Sequence, residues 1–250
     1  EEVSLLEGLA NNISFGIEAI RTRLERQVAE EELRLSWTTL ARTLQGTVRA
    51  MGAVTEIRDP YTAGHQQRVS ELAEAIAVEM GLSMEEVECV RIAGLLHDVG
   101  KIYVPIQILA KPGFLSPAEF NLVRVHSEAG YGILKNVEFP WPVAETVLQH
   151  HERMNGSGYP HSLAGAEILQ SAAIIAVADT VEAMSNFRPY RPAFGIEAAL
   201  AEVLSESGAL YDQTVAQACA NLFRSGGFQW SCEASIGRAP LLRGISTHRE

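Results

Sequence analysis

Cysteine is scarce in this 250-residue chain: Cys89, Cys219 and Cys232 are widely separated and form no Cys-x-x-Cys pair. That excludes a disulfide framework and a thiolate zinc knot, and isolated thiols suit a reducing cytoplasm. Long apolar runs are also missing. The most apolar stretch, Ala172 to Ala178, closes at Asp179, far short of a membrane span, so no membrane contact is expected. Cations are outnumbered, with 20 Lys plus Arg against 31 Asp plus Glu and a formal charge of −11. The basic footprint of a general DNA-binding surface is therefore absent. An anionic substrate must be met by a local cluster of cations or by metal. Strand-like alternation is lacking throughout, and residues 3–57 contain no proline. A start at Glu1 rather than Met leads us to expect a fragment of a longer protein.

Helical periodicity is what the chain does have. At 47% hydrophobic residues it can bury one sizeable core. Ile13, Ile17, Ile20, Leu24 and Val28, then Leu33, Trp37, Leu40, Leu44, Met51 and Val54, follow helical spacing. This predicts one long helix with a coiled-coil-like seam from Leu33 onward. No later segment has comparable length, so a homodimer through this helix is expected, with signal transmission as its role. Asp59-Pro60 breaks it. The next helix carries His65 near its start and stops at Gly81. Ser83 with Glu86 forms a capping box for another, from Met84 to about Val99. Pro105, Pro112, Gly113 and Pro117 punctuate a loop, after which a helix leads to His126 and residues 131–134 form a separate short one. Further helices are expected from Pro142 to His150-His151, from Ala164 through Asp179 to Met184, and near residues 196–204 and 213–223. The fold class is all-α, a compact helical bundle preceded by a long N-terminal helix.

Seven side chains offer nitrogen or oxygen donors in this pattern: His65, His97, Asp98, His126, His150, His151 and Asp179. The set suits divalent iron, manganese, nickel, cobalt or zinc. Each has a plainer reading, since a single His65 or His126 is commonly a capping or hydrogen-bonded histidine. Asp179 is harder to set aside, because a carboxylate against the apolar run before it is costly unless a cation or strong donors offset it. Seven ligands exceed the needs of one ion. On a helix His97 and Asp98 point about 100° apart. They therefore face one cavity only if two metals share it and Asp98 bridges them, and the same holds for His150 and His151. Two ions that share a water would lower its pKa to give a bridging hydroxide near neutral pH.

His97-Asp98-Val99-Gly100-Lys101, with His150-His151-Glu152 and Asn155-Gly156-Ser157-Gly158-Tyr159-Pro160, resembles the HD-GYP domain, the cyclic di-GMP phosphodiesterase branch of the HD metal-dependent phosphohydrolases. The resemblance spans residues 48–223 and includes residues 61–68, Val104-Pro105, Lys111-Pro112-Gly113 and Arg188-Pro189-Tyr190-Arg191-Pro192. It implies one ion on His65, His97, Asp98 and Asp179, and a second on Asp98, His126, His150 and His151. Both are divalent transition metals, iron or manganese foremost. It implies a catalytic role for Asp98 and for Lys101 beside the scissile phosphate. Substrate contacts fall to Gly158, Tyr159 and Pro160 of the turn and to Arg188 and Arg191, whose planar donors suit phosphate or guanine edges. The implied product is 5′-pGpG, with slower cleavage to GMP.

Departures from the family pattern are informative. Members with a third metal carry Glu where this chain has Tyr61, so a two-metal site is implied. Asn155 replaces a common Asp, and both cap turns. Ala173 replaces a commonly basic residue, and His161 reads as surface. A metal-bound water and Glu152 stay open as the group that protonates the leaving oxygen. The stretch from Leu5 to Ile17 resembles the closing helix of a GAF domain, which implies an upstream sensory domain. The domains are then residues 1–57, a signalling and dimerisation helix; 58–225, the catalytic domain; and 226–250, a weakly structured tail in which His248 has no functional case. Two other readings stay open: a module that binds nucleotide or partner proteins with little or no turnover, and an HD nucleotidase for another substrate.

Overall fold

The computed structural model describes residues 2–58, 64–186 and 193–230. Tyr61, Arg188, Arg191, Cys232 and His248 lie outside the described residues. All regular structure among those described is helical, without a strand, as the periodicity requires. The chain divides into two units, Glu1–Val48 and Arg49–Glu250, and α1 (Glu2–Arg58) contributes to both.

In the first unit Leu33, Trp37, Leu40 and Leu44 are each more than half exposed. Arg21–Glu25, Arg26–Glu30 and Arg34–Glu31 pair along the helix at 3.0, 2.7 and 2.6 Å. Such exposed pairs stabilise a helix only slightly.

The second unit contains α2 (His65–Glu79), α3 (Met84–Leu96), a 3-10 turn (Val99–Tyr103), α4 (Ile106–Leu109), α5 (Pro117–Leu134) and α6 (Val143–Gln149). A second 3-10 turn (Gly165–Glu167), α7 (Gln170–Ser185), α8 (Ile196–Ser205) and α9 (Gln213–Arg224) follow. The core forms around α7, whose Ile174, Ile175, Val177, Ala178 and Val181 are fully buried. A helix apolar on most of its circumference must be covered from several sides. Accordingly α2, α3, α6, α8 and α9 all pack on it. From α2 come Val69, Leu72, Ala73 and Ile76, and from α3 come Val90, Ala93 and Leu96. Burying one large aliphatic side chain of this kind stabilises by about 1.5–3 kcal/mol.

Helix starts follow the sequence signals. Ser83 and Glu86 form the expected reciprocal cap on α3, and Ser116 with Glu119 forms another on α5, with Pro117 in the first helical turn. Lacking a side chain, Gly64 cannot cap α2; instead the Glu56 carboxylate accepts from the amides of Gly64 (2.9 Å) and Gln66 (3.0 Å). The last turns of α1 thereby hold the start of the helix that carries His65.

Three boundaries differ from the expectations. Residues 131–134 are the last turn of α5, because Gly130 does not break the helix but lies buried against Val147 of α6. The third helix stops at Leu96 rather than near Val99, and the chain tightens into the 3-10 turn. There Gly100 lies so close to α5 that a side-chain carbon would strike the His126 carbonyl oxygen and the Gly130 amide. The segment after Ala164 makes a short 3-10 turn before α7 begins at Gln170.

Candidate metal centre

Five helices bring the seven predicted ligands together. His65 opens α2, His97 caps α3, and Asp98 leads into the 3-10 turn. His126 projects from α5, His150 caps α6 with His151 next, and Asp179 lies on α7. Their donor atoms form two groups, His65-His97-Asp98 and His126-His150-His151, with the atoms of each within 4.8 Å of one another. Asp179 Oδ1 is 3.3 Å from His65 Nε2 and joins the first group.

Each pair of sequence neighbours contributes to one group, His97 and Asp98 to the first and His150 and His151 to the second. Asp98 (φ −97°, ψ 6°) and His151 stand just past the ends of α3 and α6. Asp98 still stands between the groups. Its Oδ2 lies 3.4 Å from His97 Nε2 and 3.9 Å from His65 Nε2, while its Oδ1 lies 3.5 Å from His126 Nε2.

Local helix geometry sets the histidine tautomers. His97, His126 and His150 each place Nδ1 on the carbonyl oxygen three residues earlier, at 2.8, 2.7 and 2.6 Å. Nδ1–H donates there, which leaves each Nε2 with a lone pair aimed at the common space. Burial pushes His150 down to about 3, helped by His126 and His97, and burial also lowers His126. Neither ring then carries a second proton, although their Nε2 atoms are only 3.3 Å apart. His97 Nε2 is buried without any hydrogen-bond partner. Orphaned buried acceptors are costly unless a cation or donor satisfies them. A divalent ion fits this donor set.

His65 behaves differently. Burial alone would lower it, but hydrogen bonds and charge from Asp179 and Glu182 prevail and raise it to about 9. Its Nδ1 donates to Glu182 Oε2 in a very short contact, and Glu182 Oε1 accepts from Arg68 Nε at 2.7 Å. A proton on Nε2 thus occupies the place among carboxylates that a cation would take. Burial would raise Asp98, but Lys101 and the surrounding histidines hold it well below the usual carboxylate range. Lys101 Nζ lies 2.6 Å from Asp98 Oδ2.

The glycine-rich turn forms one edge of the site. Glu152, 2% exposed, accepts from the amides of His161 (2.7 Å) and Leu163 (3.0 Å). Each carboxylate oxygen thus accepts from one amide of the loop that follows. At Gly158 a side-chain carbon would lie 2.5 Å from Arg153 N and 2.6 Å from His151 O, so only glycine lets the loop close over that backbone. Tyr159 is thereby set with its ring centroid 4.7 Å from His151 and 6.4 Å from His126. Asn155 Oδ1 accepts from Ser157 N at 3.0 Å, the turn-capping role expected of it, and His161 is exposed.

Two residues escaped the sequence reading. Glu182 lies one turn beyond Asp179 on the same face of α7, and an acid at that offset inside an apolar helix was the available signal. Arg124 lies two residues before His126, with its guanidinium carbon 4.7 Å from the Tyr159 ring centroid. Nothing in its local pattern marks it. A cavity of about 530 Å³ lined by residues including Cys89, Trp141, Pro142 and Leu169 shares none of the donor side chains, and we assign the chemistry to the histidine cluster on the strength of its geometry.

Comparison with known proteins agrees with this geometry. Residues 49–215 match the family described as HD domain. A cyclic di-GMP phosphodiesterase of Thermotoga maritima is 43% identical over 170 residues, covering 67% of this chain and 46% of the relative. The 3′3′-cGAMP-specific phosphodiesterase 1 of Vibrio cholerae is 40% identical over 141 residues, covering 56% of this chain and 33% of the relative. The chain spans less than half the length of either. A solved structure, Bd1817, an HDG"Y"P protein from Bdellovibrio bacteriovorus, shares the fold with a TM-score of 0.54 at 20% identity, covering 64% of this chain and 51% of that one.

Proposed function

The chain belongs to the HD domain family, and we propose that it is a metal-dependent phosphodiesterase that opens cyclic di-GMP to 5′-pGpG. One observation carries the proposal: seven ligand side chains from five helices converge in two groups, with one oxygen of Asp98 turned toward each. The first ion would be held by His65, His97, Asp98 and Asp179, the second by Asp98, His126, His150 and His151. When bound, two such ions supply Lewis acidity at a phosphoryl oxygen and a more acidic water for in-line attack.

The protein's own groups do the rest. Lys101 offsets charge that develops on the phosphoryl oxygens, and its contact with Asp98 fixes its position. Tyr159 presents a ring to the base or ribose, held by a loop whose amides Glu152 anchors. The assignment of Arg188 and Arg191 to the substrate rests on the sequence resemblance alone. The test is incubation of metal-replete protein with cyclic di-GMP and with 3′3′-cGAMP, the products being separated by chromatography. We expect 5′-pGpG as the first product. Faster cleavage of 3′3′-cGAMP would reassign the substrate, and tight binding with no product would reduce the protein to a nucleotide-binding module.

Self-association belongs to the same proposal. Leu33, Trp37, Leu40 and Leu44 form an exposed seam at three- and four-residue steps, the pattern by which two identical helices cover one another. Replacing Trp37, Leu40 and Leu44 together with Ser should convert a dimer to a monomer in sedimentation velocity. A parent protein that already sediments as a monomer at micromolar concentration would refute the dimer.

A further inference from the structure

We propose that Arg124 binds the uncut phosphodiester of a cyclic dinucleotide, and so selects ring dinucleotides over substrates with a single phosphodiester; this rests on the phosphodiesterase reading above. The guanidinium carbon of Arg124 lies 4.7 Å from the Tyr159 ring centroid and 5.1 Å from that of Phe120. Those two rings stand edge to face, 6.4 Å apart, and form a cradle for the cation. Inside it Arg124 Nε is buried without a hydrogen-bond partner. Among the described residues no carboxylate pairs with Arg124, in a chain carrying 31 acids against 20 Lys plus Arg. Two aromatic rings thus flank the planar donor fork, while its Nε donor goes unspent. A phosphate offers the matching pair of acceptors.

Position gives the assignment its content. Tyr159 is the ring shared between Arg124 and the second histidine group, since it also lies 4.7 Å from His151. Lys101 sits elsewhere in the site, on the oxygen of Asp98 that faces the first group. Among the described residues, then, one cation stands at the carboxylate between the histidine groups and another over the Tyr159 ring. A cyclic dinucleotide has two phosphodiesters on opposite sides of its ring. With one at the metal groups and Lys101, the other needs a cation at some distance, and a substrate with a single phosphodiester leaves Arg124 unused.

The experiment measures selectivity. For Arg124→Gln, which keeps much of the side-chain volume, kcat/KM for cyclic di-GMP relative to that for bis(p-nitrophenyl) phosphate should fall about 10-fold or more, mainly through KM, as expected for loss of a charge-assisted phosphate contact. The Kd of a non-hydrolysable phosphorothioate analogue of cyclic di-GMP should rise in parallel, and Arg124→Lys should recover part of both losses. Equal losses on the two substrates, or an unchanged Kd for the analogue, would overturn the proposal while leaving the phosphodiesterase reading intact. Parent protein that cleaves bis(p-nitrophenyl) phosphate but neither binds nor cleaves cyclic di-GMP would overturn both, and that result is read before any variant is made.

Discussion

Asp98→Asn is expected to lower phosphodiester turnover about 10³-fold, equivalent to about 4 kcal/mol of transition-state stabilisation, and to reduce the metal content of protein purified without chelator. The substitution keeps the shape of the side chain and removes its charge. Asp98 is 4% exposed and stands between the two donor groups, with Lys101 at 2.6 Å and His97 and His126 at 3.4 and 3.5 Å. An amide gives the two groups no shared anion, and its NH2 meets either an ammonium or a lone pair already directed at a cation. Removing one member of a buried charge pair costs about 3–5 kcal/mol, because the remaining charge stays buried without its compensation. A lower melting temperature for the metal-free variant should therefore accompany the loss of turnover. Elemental analysis and steady-state kinetics on one preparation check both parts. A variant that keeps full metal content and more than a tenth of the turnover would remove Asp98 from its bridging position.

The second large effect is expected at a residue that touches no substrate. Glu182→Gln should weaken metal binding about 10–100-fold, as loss of a partner behind a metal-ligating histidine does elsewhere. Glu182 is 1% exposed and joins three groups: it accepts from His65 Nδ1, from Arg68 Nε at 2.7 Å and from the Asn186 amide at 3.1 Å. Glutamine has one acceptor oxygen for these donors and turns an NH2 toward one of them. His65 then loses the anion that fixes its ring, and Arg68 loses a buried counter-charge. Competition with a chromophoric chelator reports the affinity of the metal site directly, a quantity that a loss of packing alone would leave near its parent value. Unchanged affinity with a lowered melting temperature would make Glu182 a structural residue only. Glu182→Asp, which retains the charge at a shorter reach, should fall between the two.

The donor side chains that converge were legible because helix ends advertise themselves. His97-Asp98 and His150-His151 each stand where an apolar period stops, and Asp179 closes the longest apolar stretch of the chain. What the sequence could not display is the grouping, in which His97 and Asp98 fall with His65, and His150 and His151 with His126. The burial argument made for Asp179 applies more fully to Glu182: the Asp179 side chain is 20% exposed, whereas that of Glu182 is 1% exposed. Sequence reading found the right helix and stopped one turn short. Arg124 was invisible for a different reason, because its significance comes from Tyr159, 35 positions later, folding back onto it. Glu152 has a structural part that its place beside the histidines did not reveal, since each of its oxygens accepts from a loop amide.

The fixed tautomers of His97, His126 and His150 have a thermodynamic corollary. A fold that keeps unshared electron pairs pointing at one another, 3.3 Å apart for His126 and His150, is poised against itself until an ion arrives. Occupancy then contributes to stability by mass action, about 2.7 kcal/mol at a free ion concentration 100 times Kd. Survival of the folded chain in a cell would thus follow the local supply of the metal it takes up, so that scarcity lowers the amount of the protein as well as the fraction that is occupied.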